Sequence, residues 1–101
     1  LPHRKRIDDN QTEIVKALRS AGATVRIVSS VSNFVDIVVG FRGQNYLMEV
    51  KDGNKPPSGQ KLTPGEEKFQ GEWKGNVSNI NSIDSALASI GVDSAQISRK
   101  P

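Results

Sequence analysis

The chain has 101 residues, 35% of them hydrophobic, with a net charge of +3, no cysteine and one histidine. That size suits one domain with one modest core and leaves no room for a second. The lack of cysteine excludes disulfides and thiolate chemistry, and the lone His3, in the ragged start, argues against a Ser-His-Asp triad, a His/Cys zinc site or a histidine base.

In chain order, residues 1–7 read as a basic arm, with no apolar region behind "LPHRKR" to make a secretory signal. "DDNQTEIVKALRSAG" predicts the first helix, with Asp8 or Asp9 as cap, an apolar stripe of Ile14, Ala17, Leu18 and Ala21, Val15 beside it, and Gly22 as stop. "TVRIVSS" predicts a strand with Val25 and Ile27 on one face. "FVDIVVGF" and "YLMEVK" predict two more, joined by the tight turn "RGQN" and therefore antiparallel neighbours. "DGNKPPSGQK" is irregular, its glycines and prolines forbidding regular structure. "TPGEEKFQGEWKG" predicts a helix capped by Thr63, begun by Pro64 and ended by Gly75, with Phe69 and Trp73 on one face and packed on the sheet. "NVSNIN" predicts a short last strand. "SIDSALASIG" predicts a last helix with Ile83, Ala86, Leu87 and Ile90 inward, and residues 92–101 form a polar tail.

The expected fold is α/β in the order α-β-β-β-α-β-α. A mixed sheet with helices on both faces accounts for strands two and three being apolar in both registers. No apolar run approaches a membrane span, so a soluble, cytoplasmic protein is expected. The mild basicity permits a polyanionic partner without requiring one.

The strands carry three charges among apolar neighbours. Glu49 and Lys51, two apart, leave the same face of strand three. Counting outward from a turn near Gly43 brings Asp36 opposite residues 49–51, so the three side chains can converge at one end of the sheet. Crowded carboxylates repel, and a hard divalent cation relieves them. Magnesium, with manganese as substitute, takes one or two protein carboxylates plus waters and phosphate. A lysine beside it can orient or deprotonate water, or stabilise a phosphate oxygen. The trio suits metal-assisted phosphodiester hydrolysis. The plainer account is a solvated Glu/Lys pair with a strand-edge aspartate.

"NQTEIV", "VDIVVG", "MEVKDG", "KLTPGEEKF" and "NVSNINSIDSALASIG" together resemble the PD-(D/E)XK nuclease superfamily, and more narrowly its small stand-alone VRR-Nuc-type phage and bacterial nucleases. The resemblance covers residues 8–91 and implies a restriction-endonuclease-like core. It implies Asp36 and Glu49 as metal ligands, Lys51 as catalytic lysine, and Glu13 as the helical acidic residue near the metal. Glu13 otherwise reads as a first-turn glutamate favoured by the helix dipole, and Gln11 as a capping amide or a side chain that looks toward the site. Val35 stands where the motif has proline, and Glu66-Glu67 and Gln70 stand where relatives carry glutamine. Lys55, Lys61 and Lys68, with Lys74, can hold phosphates or simply face water. Trp73 can stack a base, but beside Phe69 it reads as core.

The function these readings favour is a magnesium-dependent DNA endonuclease, acting on branched or structured DNA, with a homodimer as the form that cuts both strands. The alternatives are an inactive DNA-binding or assembly module of the same fold and an RNA-directed nuclease.

Overall fold

Helix α1 (Asp9–Ser20) ends where the sequence requires it, at Gly22, whose φ of 102° suits a residue without a side chain. Gly22 N–H donates to the Arg19 carbonyl and Ala23 N–H to that of Leu18, so two orphan carbonyls are satisfied as the chain turns into β1 (Thr24–Ile27). β2 (Ile37–Phe41) and β3 (Gln44–Val50) follow, then a 3-10 turn at Pro57–Gln60, α2 (Pro64–Glu72), β4 (Val77–Ile80) and α3 (Ile83–Ser89). This computed structural model describes residues 9–93. The basic arm over 1–7, the Asp8 cap and the tail beyond residue 93 lie outside them. Among the described residues, no helix is long and apolar enough to cross a membrane.

The sheet is four-stranded and mixed, in the order β1-β2-β3-β4. β1 with β2 and β2 with β3 are antiparallel, and β3 with β4 is parallel. The β2–β3 loop is Arg42-Gly43, with φ of 50° and 79°. Positive φ at both positions gives the turn whose twist matches paired strands. Phe41 therefore faces Gln44 and, at the far end, Ile37 faces Met48. One step further, the Asp36 backbone is held on both sides: its N–H donates to the Met48 carbonyl (3.1 Å) and its carbonyl accepts from Val28 N–H (2.8 Å).

Alternation along the strands sorts the core to one side. Val25, Ile37, Val39, Phe41, Met48, Val50 and Ile80 are buried together with Ile14, Val15 and Leu18 of α1 and Ala86, Leu87 and Ile90 of α3. The opposite face carries a cross-strand row of Arg26, Val38, Leu47 and Val77, in which the three apolar members are only half-buried. The two faces are thus covered unequally. α2 reaches the second side through polar ties, Glu66 to Lys51 and Gln70 to Asn79, and contributes no buried residue.

Four expectations need correction. Phe69 and Trp73 are not packed into the sheet. They form a surface cluster with Phe34, ring centroids 5.2–6.2 Å apart, and Trp73 stays 41% exposed. The reason is that α2 is otherwise polar and has no apolar stripe to seat. Ile27, at the end of an edge strand, and Ile83, in the first turn of α3, are exposed rather than inward. Val92, assigned to the tail, is buried in the core. Gly91, with φ of 83°, turns the chain so that Val92 N–H donates to the Leu87 carbonyl, which returns Val92 to the apolar side of α3.

A one-sided core has a measurable consequence. Leu18→Ala, at a fully buried position, should cost about 2–5 kcal/mol. Leu47→Ala, on the half-covered face, should cost about 1 kcal/mol or less, since little cavity can form there. Urea unfolding of the two variants checks this, and equal losses would contradict the unequal faces.

Candidate active site

The hairpin register delivers Asp36 beside Glu49, and both are nearly buried, at 9% and 4% exposure. Asp36 Oδ2 accepts a hydrogen bond from Val50 N–H at 2.8 Å. The Ser29 hydroxyl lies 3.3 Å from the Asp36 carbonyl and 3.4 Å from its Oδ1, and itself accepts from Gln11 Nε2 at 3.2 Å. A buried polar chain therefore runs from α1 through Ser29 to the Asp36 carboxylate.

Glu49 is the electrostatic problem of the molecule. Burial, then hydrogen bonding to and repulsion by Asp36 and Glu66, push its carboxyl up to about 9 from an ordinary 4.5. A carboxyl so shifted keeps its proton at neutral pH. Glu66 moves the other way. Burial alone would raise it, but the Lys51 ammonium, Thr63 N–H and the Glu49 carboxyl together hold it below the usual carboxylate range. Lys51 Nζ lies 2.7 Å from Glu66 Oε1 and 4.0 Å from Glu49 Oε2. The Lys51 backbone is pinned too: its carbonyl accepts from Asn10 Nδ2 at 2.7 Å and its N–H donates to the Ile80 carbonyl at 2.8 Å.

Glu66 is the residue whose role the sequence left open. It stands at the third helical position of α2, where its Oε1 accepts from Thr63 N–H at 2.8 Å while Thr63 Oγ1 accepts from Glu66 N–H. This reciprocal cap aims the carboxylate back past the helix start, toward Lys51. The "TPGE" spacing carried that signal. Ser29 had no such signal, because nothing in "VSS" marks one serine as inward.

The structure brings Asp36, Glu49 and Lys51 together but does not bring Glu13 to them. Glu13 is exposed and lines a separate hollow of about 400 Å³ with Asn10, Asp52, Asn54 and Asp84. Two residues earlier on the same helix, about 200° around it, Gln11 takes the inward place. Its buried amide, not the Glu13 carboxylate, connects α1 to Asp36. Lys55 and Lys61 are exposed on either side of the 3-10 turn. Lys68 is exposed on α2 and paired with Glu72 at 2.8 Å.

A hollow of about 350 Å³ opens over Glu49 and Glu66, walled by Ser32, Asn33, Phe34, Thr63 and Gly65. Among the described residues, no three or more Asp, Glu, His or Cys side chains form a ready metal cage. The nearest donor set is Asp36 with Glu49. It is oxygen-only and carries a charge conflict that a proton now relieves. That chemistry fits a hard divalent cation, which takes one or two protein carboxylates and completes its shell with water. Against family models, curated proteins and solved structures, the chain gave no match.

The Glu49 shift fixes a sign. Between about pH 4.5 and about pH 9 the folded chain keeps a proton that the unfolded chain has released. In chelator, the stability contribution of this group is therefore whole below pH 4.5 and falls as pH rises toward 9. Glu49→Gln, which cannot ionise, should flatten that slope. Urea midpoints at several pH values across the window read it directly, and parallel slopes for both proteins would show that Glu49 does not titrate as described.

Proposed function

We propose that the chain is a magnesium-dependent deoxyribonuclease of the PD-(D/E)XK type, hydrolysing DNA phosphodiester bonds by attack of water. One observation carries the reading: the β2–β3 register sets Asp36 beside Glu49, and Lys51 leaves the same strand face with its ammonium 4.0 Å from the Glu49 carboxylate. The α-β-β-β-α-β-α order around a mixed sheet supports a restriction-endonuclease-like core, and the sequence motifs support the VRR-Nuc-type branch of it.

Asp36 and Glu49 would hold the cation. When bound, it supplies positive charge that acidifies water and draws in the phosphate. Glu49 must first release its proton, which the cation's charge favours over the crowding that now raises it. The Val50 N–H and Ser29 hydroxyl keep Asp36 in one orientation throughout. Lys51 exchanges its bond to Glu66 for the phosphate or the attacking water, where its charge counts most as negative charge develops. Glu66 keeps its bond from Thr63 N–H, so α2 remains capped during the exchange. Lys55 and Lys61 would hold the backbone outside the cut. Lys68 would do so only after leaving Glu72, a small cost for an exposed pair. With a single site per chain, a homodimer is the form that would cut both strands of a duplex. The cytoplasm of a bacterial or phage-infected cell is the compartment this activity fits.

A second reading, a DNA-binding module without catalysis, is favoured by one contact: Lys51 is already answered by Glu66 at 2.7 Å. Incubation with plasmid, branched DNA and RNA, in magnesium, manganese or chelator, separates the two and tests DNA against RNA. Binding without cutting in any of these would leave the module.

Lys51→Met keeps the stem and removes the charge. Cleavage should fall by at least about two orders of magnitude while DNA affinity changes little. Lys61→Ala should do the reverse, weakening binding and its salt dependence with near-normal turnover at saturating DNA. Loss of binding in Lys51→Met equal to its loss of cutting would argue for a merely adhesive lysine.

Asp36→Asn tests the cation. Magnesium should raise the melting temperature of the native protein and not that of the variant, because a ligand stabilises only the fold that binds it. In chelator the variant should be at least as stable as the native protein, since it removes one of the crowded charges. Equal magnesium shifts in both proteins would remove the cation from Asp36.

A further inference from the structure

The hollow over Glu49 does not end at the carboxylates. Its wall residues Asn33 and Gly65 also line a second hollow, of about 160 Å³, bounded by Lys68, Phe69 and Glu72. The shared wall is narrow because Gly65 has no side chain; a Cβ there would come within 3.0 Å of Asn33 Oδ1. The two hollows adjoin across that wall.

The aromatic cluster borders both hollows, with Phe34 on the first and Phe69 on the second. Phe34 meets Phe69 edge-on at 5.5 Å, Phe69 meets Trp73 at 5.2 Å, and Trp73 keeps 41% of its surface in water. As an anchor for α2 the cluster is poorly hidden, since no residue of that helix is buried. An exposed indole backed by two half-buried phenyl rings has a specific complement, the face of a nucleobase. Lys68 lines the second hollow beside Glu72, its partner in an exposed ion pair, and brings positive charge to it when that pair opens.

We infer that the Phe34–Phe69–Trp73 cluster is a stacking platform for an unpaired nucleobase, and that the substrate is DNA with single-stranded nucleotides next to the cut. Within a duplex each base face is already covered by its neighbours, so the rings have nothing to stack on until a base is unpaired. The inference rests on the nuclease reading for the place of the scissile phosphate, but the stacking itself is measurable without cleavage.

Trp73 is the chain's only tryptophan, so its fluorescence reports this surface alone. In chelator, oligothymidylate should quench Trp73 saturably in the native protein, and a blunt, fully paired hairpin should not. In magnesium, Trp73→Leu should lower kcat/KM on substrates with unpaired nucleotides beside the cut by about tenfold, the scale of one lost stacking partner, and leave fully paired substrates unchanged. No quenching, or equal quenching by the paired hairpin, overturns the platform, and no variant need fold for that result. Quenching without cutting on any substrate keeps the platform and removes the nuclease. Cutting without quenching does the opposite.

Discussion

The whole site hangs on a two-residue turn. Arg42 and Gly43 both take positive φ, and that geometry admits one register between β2 and β3. A slip of one residue would send every side chain of one strand to the other face. Either Asp36 would then leave Glu49 for the apolar side, or Met48 and Val50 would meet water. Core and chemistry are therefore selected by the same pairing. The backbone bonds from Asp36 to both neighbouring strands add a second lock just where β2 begins, so the acid sits on sheet-like backbone rather than in a free loop.

That rigidity is what makes the charges costly. Flexible carboxylates would turn apart into solvent. Here Asp36 is tied to Val50 and Ser29, Glu66 is tied to the start of α2, and Glu49 lies between them. The fold answers with one retained proton and one lysine instead of with motion. It also leaves this face of the sheet thinly covered, since α2 is attached by polar bonds and a surface aromatic cluster rather than by a buried stripe. Access to the carboxylates and weak coverage of their face are one arrangement.

The sequence made much of this legible, for identifiable reasons. Element order followed from punctuation that only certain residues supply: Gly22, the "RGQN" turn and Thr63-Pro64. The meeting of Asp36 with Glu49 followed from counting away from Gly43. What failed depended on depth, which local pattern does not encode. Phe69 and Trp73 share a stripe whether or not a sheet lies beneath it. Glu13 lies at the edge of the apolar stripe of α1 and Gln11 within it, but only the position of Ser29 decides that the amide is the group tied to Asp36. Val92 looked like tail because the turn that returns it lies in the backbone of Gly91, not in any side chain.

Sheet order has a last consequence, for how this chain meets others. Both outer strands, β1 and β4, are four residues long, against seven for β3 in the interior. Short edges expose few unpaired amides and carbonyls, so they make poor templates for adding a foreign strand. A half-buried apolar row instead crosses the strands at Val38, Leu47 and Val77. Ribbon-like growth, the usual hazard of a small sheet, is thus discouraged by geometry.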